Sequence, residues 1–362
     1  MNRYVSHAPY ANLNASCFHH SVLDCHCIPS FSRRDCAHAF CRNDMGQTGN
    51  ASISRNEFNF PLPVPEAIIV PGLSSGILSI GAGGYHSCAV IQGTAAGEGA
   101  SAVCWGKNAQ GQLGTGSTSP TFSISPLPVA GLSSGVASLA AGFQHTCALL
   151  INGSVCCWGS NDHGQLGLGF FSDANSPVSS PALVTGLPAG VVQVAVGGYH
   201  TCALIGDGSV YCWGRCIEAQ MGDNTPPCTD VDGKPSPTRV SGLGSGSGVV
   251  KISAGDLHSC GVMSNGSAVC WGGESPSAVL SHGSQLYSSE NAQAQLGQGV
   301  LVASVISLRR VPDFVLGITD AVAISCGFCH TCALRSTGQP MCWGCNNAGY
   351  QRPHAANARP CL

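Results

Sequence analysis

Charge is the scarcest property of this 362-residue chain: only 9% of its residues are Asp, Glu, Lys or Arg. Globular proteins usually carry about 25%. Fifteen Lys and Arg stand against eighteen Asp and Glu, for a net charge of −3. No Lys/Arg run exists, so phosphate-driven binding to nucleic acid, which needs clustered cations, is not expected. No apolar stretch reaches the length of a membrane span. Residues Met1 to Tyr10 lack the apolar core of a signal peptide. No helical period persists for even three turns. Tryptophan is rare as well, at five residues.

Those five tryptophans lie in one tripeptide, Cys-Trp-Gly: Trp105, Trp158, Trp213, Trp271 and Trp343. Each follows a His-Ser/Thr-Cys triplet, headed by His86, His145, His200, His258 and His330. After Cys-Trp-Gly comes a polar loop ending in Gly-Gln-Leu-Gly, clean at Gly111–Gly114 and Gly164–Gly167. The copies at Ala219–Gly222 and Ala294–Gly297 are decayed. The histidines recur 59, 55, 58 and 72 residues apart, the last gap lengthened by a Ser-rich insertion over Gly273 to Gln293. Such a period marks a tandem repeat.

Within one repeat the signals are β. Val191 to Val196 is a β-branched run, and Asp207-Gly208, Asn152-Gly153 and Asn265-Gly266 are hairpin turn signals. The unit has the length of one four-stranded propeller blade. The expected fold is therefore all-β, a β-propeller of about five to six four-stranded blades in a ring that can be incomplete. Residues 42–350 are assigned to the repeats, 1–41 to an irregular head and 351–362 to a tail. Arg42 to Gly49 reads as the end of a repeat whose opening is missing, so the chain is expected to be a fragment or to have a misjoined start.

The chain has 22 cysteines. Ten fall in pairs within the repeat: Cys88 with Cys104, Cys147 with Cys157, Cys202 with Cys212, Cys260 with Cys270, and Cys332 with Cys342. A three-residue loop Gly206-Asp207-Gly208 would set Cys202 opposite Cys212, within disulfide reach. A strict two-residue turn would instead face Cys212 with Ala203. The disulfide register is the one expected; the alternative is five pairs of buried thiols acting as small hydrophobes. Paired cysteines argue for an oxidising compartment, and the Asn-x-Ser sequons at Asn14, Asn50, Asn152 and Asn265 agree with it. Cys329 and Cys332 with Cys342 and Cys345 imitate a zinc ribbon, but their spacer is short. Cys17, Cys25, Cys27, Cys36 and Cys41 stand among histidines with no recognisable ligand spacing, and no metal is assigned.

A residue that recurs once per blade belongs to blade architecture, because one active site does not need five copies. Each repeated histidine is expected to bond to backbone within its own blade, and each tryptophan to plug the core. The Gly-Gln-Leu-Gly loops lack the Lys and following helix of a phosphate cradle. Ser160, Asp162 and His163 are close in sequence without implying a base geometry. No catalytic residue and no cofactor is expected.

The motif Gly-x-x-His-Thr-Cys-Ala-Leu followed by Cys-Trp-Gly-x-Asn-x-x-Gly-Gln-Leu-Gly resembles the regulator of chromosome condensation repeat family, over roughly residues 42–350. The resemblance implies a β-propeller, usually of seven blades. The cysteine-paired form is similar to secreted bacterial repeat proteins and to the ectodomains of crinkly-type plant receptor kinases. It implies a non-enzymatic scaffold that binds a protein partner, outside the cell or in the secretory pathway. The alternative is a nucleotide-exchange factor for a small GTPase, in nucleus or cytoplasm. The nuclear members use a basic tail and a wedge; no basic tail exists here, and the insertion carries only Glu274 and Glu290 as charges.

Overall fold

The computed structural model describes residues 45–49, 69–93, 99–173, 176–226, 228, 233–273, 296–297, 309–328 and 330–344. The irregular head assigned to 1–41 and the tail assigned to 351–362 lie outside the described residues.

Among the described residues nineteen strands form five antiparallel sheets, and in each the strands pair in chain order. The first sheet holds β1 (Ile77–Ala82), β2 (His86–Ile91), β3 (Ser101–Lys107) and β4 (Phe122–Pro128). The second holds β5 (Val136–Ala141), β6 (His145–Leu150), β7 (Val155–Gly159) and β8 (Val178–Leu183). The third holds β9 (Val191–Val196), β10 (His200–Ile205), β11 (Val210–Arg215) and β12 (Gly233–Arg239). The fourth holds β13 (Val249–Ala254), β14 (His258–Met263), β15 (Ala268–Gly272) and β16 (Arg309–Phe314). The fifth shows three strands among the described residues: β17 (Ala321–Cys326), β18 (His330–Arg335) and β19 (Pro340–Gly344). The fold is all-β and built of propeller blades, one blade per sequence repeat.

First strands of successive blades contact one another, β1 with β5, β5 with β9, β9 with β13 and β13 with β17. Each first strand carries an irregularity near one end, as between Ile77 and Ser79, and between Val249 and Lys251. The extra residue drops out of the alternation. That explains why Leu78, Val192, Val250 and Val322 are exposed despite lying in hydrophobic strands.

The hydrophobic cores lie between blades. One joins Cys88, Val90, Cys104 and Leu113 of the first blade to Leu139, Ala148 and Trp158 of the second. Equivalent clusters join the second to the third, the third to the fourth and the fourth to the fifth. A blade therefore buries its apolar faces only by stacking on its neighbours, as repeat architectures require. Ile80 shows the consequence. It is 74% exposed, whereas Leu139, its counterpart in the second blade, is 6% exposed. No described sheet precedes the first blade.

The short segment 45–49 stands in part for such a neighbour. Gly46 and Gly49 take the left-handed backbone (φ 75° and 72°) seen in the complete Gly-Gln-Leu-Gly loops. The carbonyl of Gln47 accepts hydrogen bonds from Trp105 Nε1 at 3.0 Å and Ser87 Oγ at 2.8 Å.

Candidate functional site

The repeated residues meet at the blade junctions. At the first, Trp158 Nε1 and Thr146 Oγ1 of the second blade both donate to the carbonyl of Gln112, from the first blade's loop, each at 2.9 Å. Trp213 and Thr201 do the same to the carbonyl of Gln165 at the next junction. Trp271 Nε1 donates to the carbonyl of Gln220 at 2.8 Å. The glutamine side chain ties its own loop: Gln112 Oε1 accepts the Gln110 amide, and Gln165 Oε1 the His163 amide. One glutamine thus shapes a loop with its side chain and grips the next blade with its backbone. The glycine two residues later makes room. A Cβ on Gly114 would stand 2.6 Å from Trp158 Nε1.

The histidines correct the expectation of a bond to backbone within the same blade. Each of the first four reaches across the junction to a hydroxyl. His86 Nε2 lies 2.7 Å from Thr146 Oγ1, His145 Nε2 3.0 Å from Thr201 Oγ1, His200 Nε2 2.8 Å from Ser259 Oγ, and His258 Nε2 2.8 Å from Thr331 Oγ1. Thr146 and Thr201 spend their single hydroxyl proton on the glutamine carbonyl. Nε2 of His86 and His145 must therefore be the protonated nitrogen that donates. Nδ1 of His86, His145, His200 and His258 is buried without a hydrogen-bond partner. A second proton on such a ring would find no acceptor. Burial is the main cause that lowers these four imidazoles to a pKa of about 3. Neutral, buried and hydrogen-bonded across the junctions, the four rings link neighbouring blades. His330 has no described blade beyond it and is only half-buried.

The five repeat cysteine pairs face each other across the second and third strands. Cys88 and Cys104 have Cα atoms 4.0 Å apart. Cys147 and Cys157 stand at 4.1 Å, as do Cys202 and Cys212, Cys260 and Cys270, and Cys332 and Cys342. All five pairs are at disulfide-bonding distance within one blade. In the third blade Cys202 pairs with Cys212 and Ala203 with Tyr211. The second blade offers two adjacent cysteines, and the strand register separates them. Cys157 lies opposite Cys147 and bonds to it, whereas Cys156 lies opposite Ala148 and keeps a free thiol. Both members of the first four pairs are buried, whereas Cys332 is half-buried and Cys342 exposed. Cys329 and Cys345 of the zinc-ribbon imitation, and the five cysteines between Cys17 and Cys41, lie outside the described residues.

Sequence reading missed a sixth bonded pair, Cys216 with Cys228, twelve residues apart, which closes a loop of the third blade. It occurs once, so no repetition announces it. Ser160, Asp162 and His163 form no catalytic relay. Ser160 Oγ donates directly to Asp162 Oδ1 at 2.6 Å, and Gln165 Nε2 donates to the same oxygen at 2.8 Å. Burial would raise the Asp162 pKa, but these donors outweigh it and hold it below the usual value. His163 Nε2 stands 4.0 Å from the other carboxylate oxygen, Asp162 Oδ2, and its ring lies edge-on to Tyr199, 5.3 Å between centroids.

What faces outward is the loop set. In the second blade Phe170 and Phe171 are 52% and 46% exposed. Asn161 fixes them in place: its Nδ2 donates to the Phe170 carbonyl at 2.8 Å, and its own carbonyl accepts the Ser172 amide. These two adjacent aromatics were not singled out from sequence, because they occur in one repeat only. Elsewhere Lys107 lies over the Tyr85 ring at 4.9 Å and Arg215 over Tyr199 at 5.8 Å. No helix among the described residues is long and apolar enough to cross a membrane.

Known proteins share this construction. Residues 104–149 and 152–204 match the Regulator of chromosome condensation (RCC1) repeat, and 136–165, 249–275 and 321–349 match a second form of it. The human probable E3 ubiquitin-protein ligase HERC6 is 29% identical over 86% of this chain and 27% of its own length. The Arabidopsis thaliana ultraviolet-B receptor UVR8 is 31% identical over 75% of this chain and 54% of its own. The chain thus spans about a quarter to a half of these two relatives. Among solved structures, human WBSCR16 superposes with a TM-score of 0.62 at 24% identity, covering 85% of this chain and 71% of that one. Saccharomyces cerevisiae Prp20p superposes with a TM-score of 0.55 at 23% identity, covering 79% and 58%. With Gln, His, Trp and a Thr or Ser hydroxyl locked between blades at the first three junctions, the chain belongs to the family of regulator of chromosome condensation (RCC1) repeat proteins.

Proposed function

We propose that this chain is a non-enzymatic propeller scaffold that binds a protein partner through its loops, with Phe170 and Phe171 as anchors. The single observation carrying the reading is the division of labour in the second blade. The recurrent polar residues are consumed at the junctions, while the exposed aromatics sit on a loop that the junction chemistry does not need. Exposed, ordered aromatics are the residues that supply most of the energy at protein interfaces. The repeat disulfides are structural in this reading, and the protein works in an oxidising compartment, outside the cell or in the secretory pathway.

The test is comparative capture. Wild type and the Phe170→Ser/Phe171→Ser double variant are immobilised at equal folded amounts, and retained proteins are identified by mass spectrometry. A protein retained by wild type and lost by the variant supports the reading. Identical retention, or none from the native compartment, overturns it. Alkylation of native protein tests the compartment: the pairs must be oxidised, and free thiols would exclude the extracellular reading.

A second reading rests on Prp20p, whose structure is described with its binding to Gsp1p and histones. It makes this chain an exchange factor for a small GTPase. Nucleotide release from a GTPase of that class, accelerated by catalytic amounts of the chain, would favour it over the scaffold.

A further inference from the structure

At the fourth junction a first strand ends in a thiol. The last residue of each first strand is Ala82, Ala141, Val196 and Ala254 in the first four blades. In the fifth blade it is Cys326. This thiol is free and half-buried. Its backbone amide donates to Ser253 Oγ at 2.9 Å, and its thiol donates to the Ser253 carbonyl at 3.6 Å. Ser253 pairs directly with Cys260 in the neighbouring strand. The Sγ atoms of Cys326 and Cys260, together with a ring nitrogen of His258, all lie within 4.8 Å of one another. A free thiol thus sits against a bonded cysteine pair, Cys260 with Cys270, belonging to a different blade.

We propose that Cys326 is an alternative covalent partner of Cys260, so that thiol–disulfide exchange converts the within-blade Cys260–Cys270 bond into a Cys260–Cys326 bond clasping the fourth blade to the fifth. Cys326 gives up its proton, and its sulfur attacks Cys260 Sγ. The Cys260–Cys270 bond breaks, and Cys270 leaves as a thiolate that takes up a proton. One disulfide and one thiol exist before and after, so no external oxidant or reductant enters. Burial pushes the Cys326 thiol up to about 12. The attacking thiolate is therefore scarce at neutral pH, and the within-blade bond persists until the pH rises or the junction opens. The sulfurs need little travel. The product differs from every other repeat disulfide because it joins two blades.

The experiment maps disulfides without reduction. In Cys270→Ala, held with oxidised glutathione, most molecules should carry a Cys260–Cys326 linked peptide. Cys260 and Cys326 recovered mainly as thiols or glutathione adducts would overturn the proposal. Wild type provides a measurement independent of that variant's folding. Native protein is incubated between pH 7 and 10, quenched in acid, then unfolded and alkylated, so that the burial of Cys270 does not hide its thiol. The rate at which Cys270 becomes alkylatable should rise about tenfold per pH unit, as the thiolate fraction does, and should vanish in Cys326→Ala. Cys270 never alkylated after unfolding, or alkylated equally in Cys326→Ala, would show that no exchange occurs.

Discussion

The imidazole of His145 and the hydroxyl of Thr201 lie 3.0 Å apart across the junction between the second and third blades. Thr201 passes its own proton to the carbonyl of Gln165. Two blades and a loop are thereby joined through one hydroxyl. Thr201→Val keeps the shape and removes both bonds, leaving a buried N–H without an acceptor. A loss of about 1–3 kcal/mol is expected from the orphaned donor. Urea unfolding would show it as a lower midpoint at unchanged slope. Thr201→Ser should lose much less, since Ser259 holds the same position at the next junction. A valine variant as stable as wild type would remove the hydroxyl from the account of blade coupling.

Acid should unfold the array early. His86, His145, His200 and His258 fall from an ordinary value of 6.5 to about 3, chiefly by burial. Above pH 6.5 they are neutral in both folded and unfolded chains and titration changes nothing. Below pH 6.5 the unfolded chain takes up protons that the folded chain refuses. Stability therefore falls as pH drops from 6.5 toward 3, by about 1.4 kcal/mol per pH unit for each histidine. His163 and His330 are lowered too and act in the same direction. The urea midpoint measured at pH 7.5, 6.0 and 5.0 should decline steadily. A flat profile over that range would contradict neutral burial of the imidazoles.

Gly114 is tightly constrained at the first junction. It has φ of 70°, and an added Cβ would press on the Trp158 indole and Val129. Gly114→Ala should cost about 1–2 kcal/mol from backbone conformation alone, with displacement of the indole in addition. Trp158 is fully buried in wild type, so its fluorescence should shift to the red in the variant. Unchanged emission and midpoint would refute the close approach.

The disulfides should differ in accessibility. Limited reduction followed by alkylation is expected to label Cys332 and Cys342 first, because Cys342 is exposed while Cys147, Cys157, Cys202 and Cys212 are buried. Replacing Cys202 and Cys212 together by Ala should cost about 2–3 kcal/mol in oxidised protein, and much less in reduced protein. Labelling of the buried pairs before Cys332 and Cys342 would reverse the expected order.

The blade itself was legible in the amino-acid sequence. Local chemistry sets it: turn residues at Asp207-Gly208, β-branched runs such as Val191 to Val196, and a hairpin loop length that faces Cys202 with Cys212. The same spacing picks Cys157 over Cys156 as the partner of Cys147. Five copies of the same local pattern require five similar units whatever their surroundings, and the structure shows five sheets. The partners of the repeated polar groups were not legible. His86 and Thr146 are sixty residues apart, and nothing near either one in sequence singles out the other. Repetition showed that these residues are structural, but not that they act between blades. The exposure of Ile80 and the burial of Leu139 likewise follow from stacking and not from residue type. The same holds for Cys326. In sequence it is one more cysteine outside the repeat pattern, and only blade packing brings its sulfur beside Cys260. Sequence alone determined what each blade is, because strand pairing and turns are short-range. Tertiary structure decided what each blade holds on to, because those contacts close over a full repeat and depend on how one sheet stacks on the next.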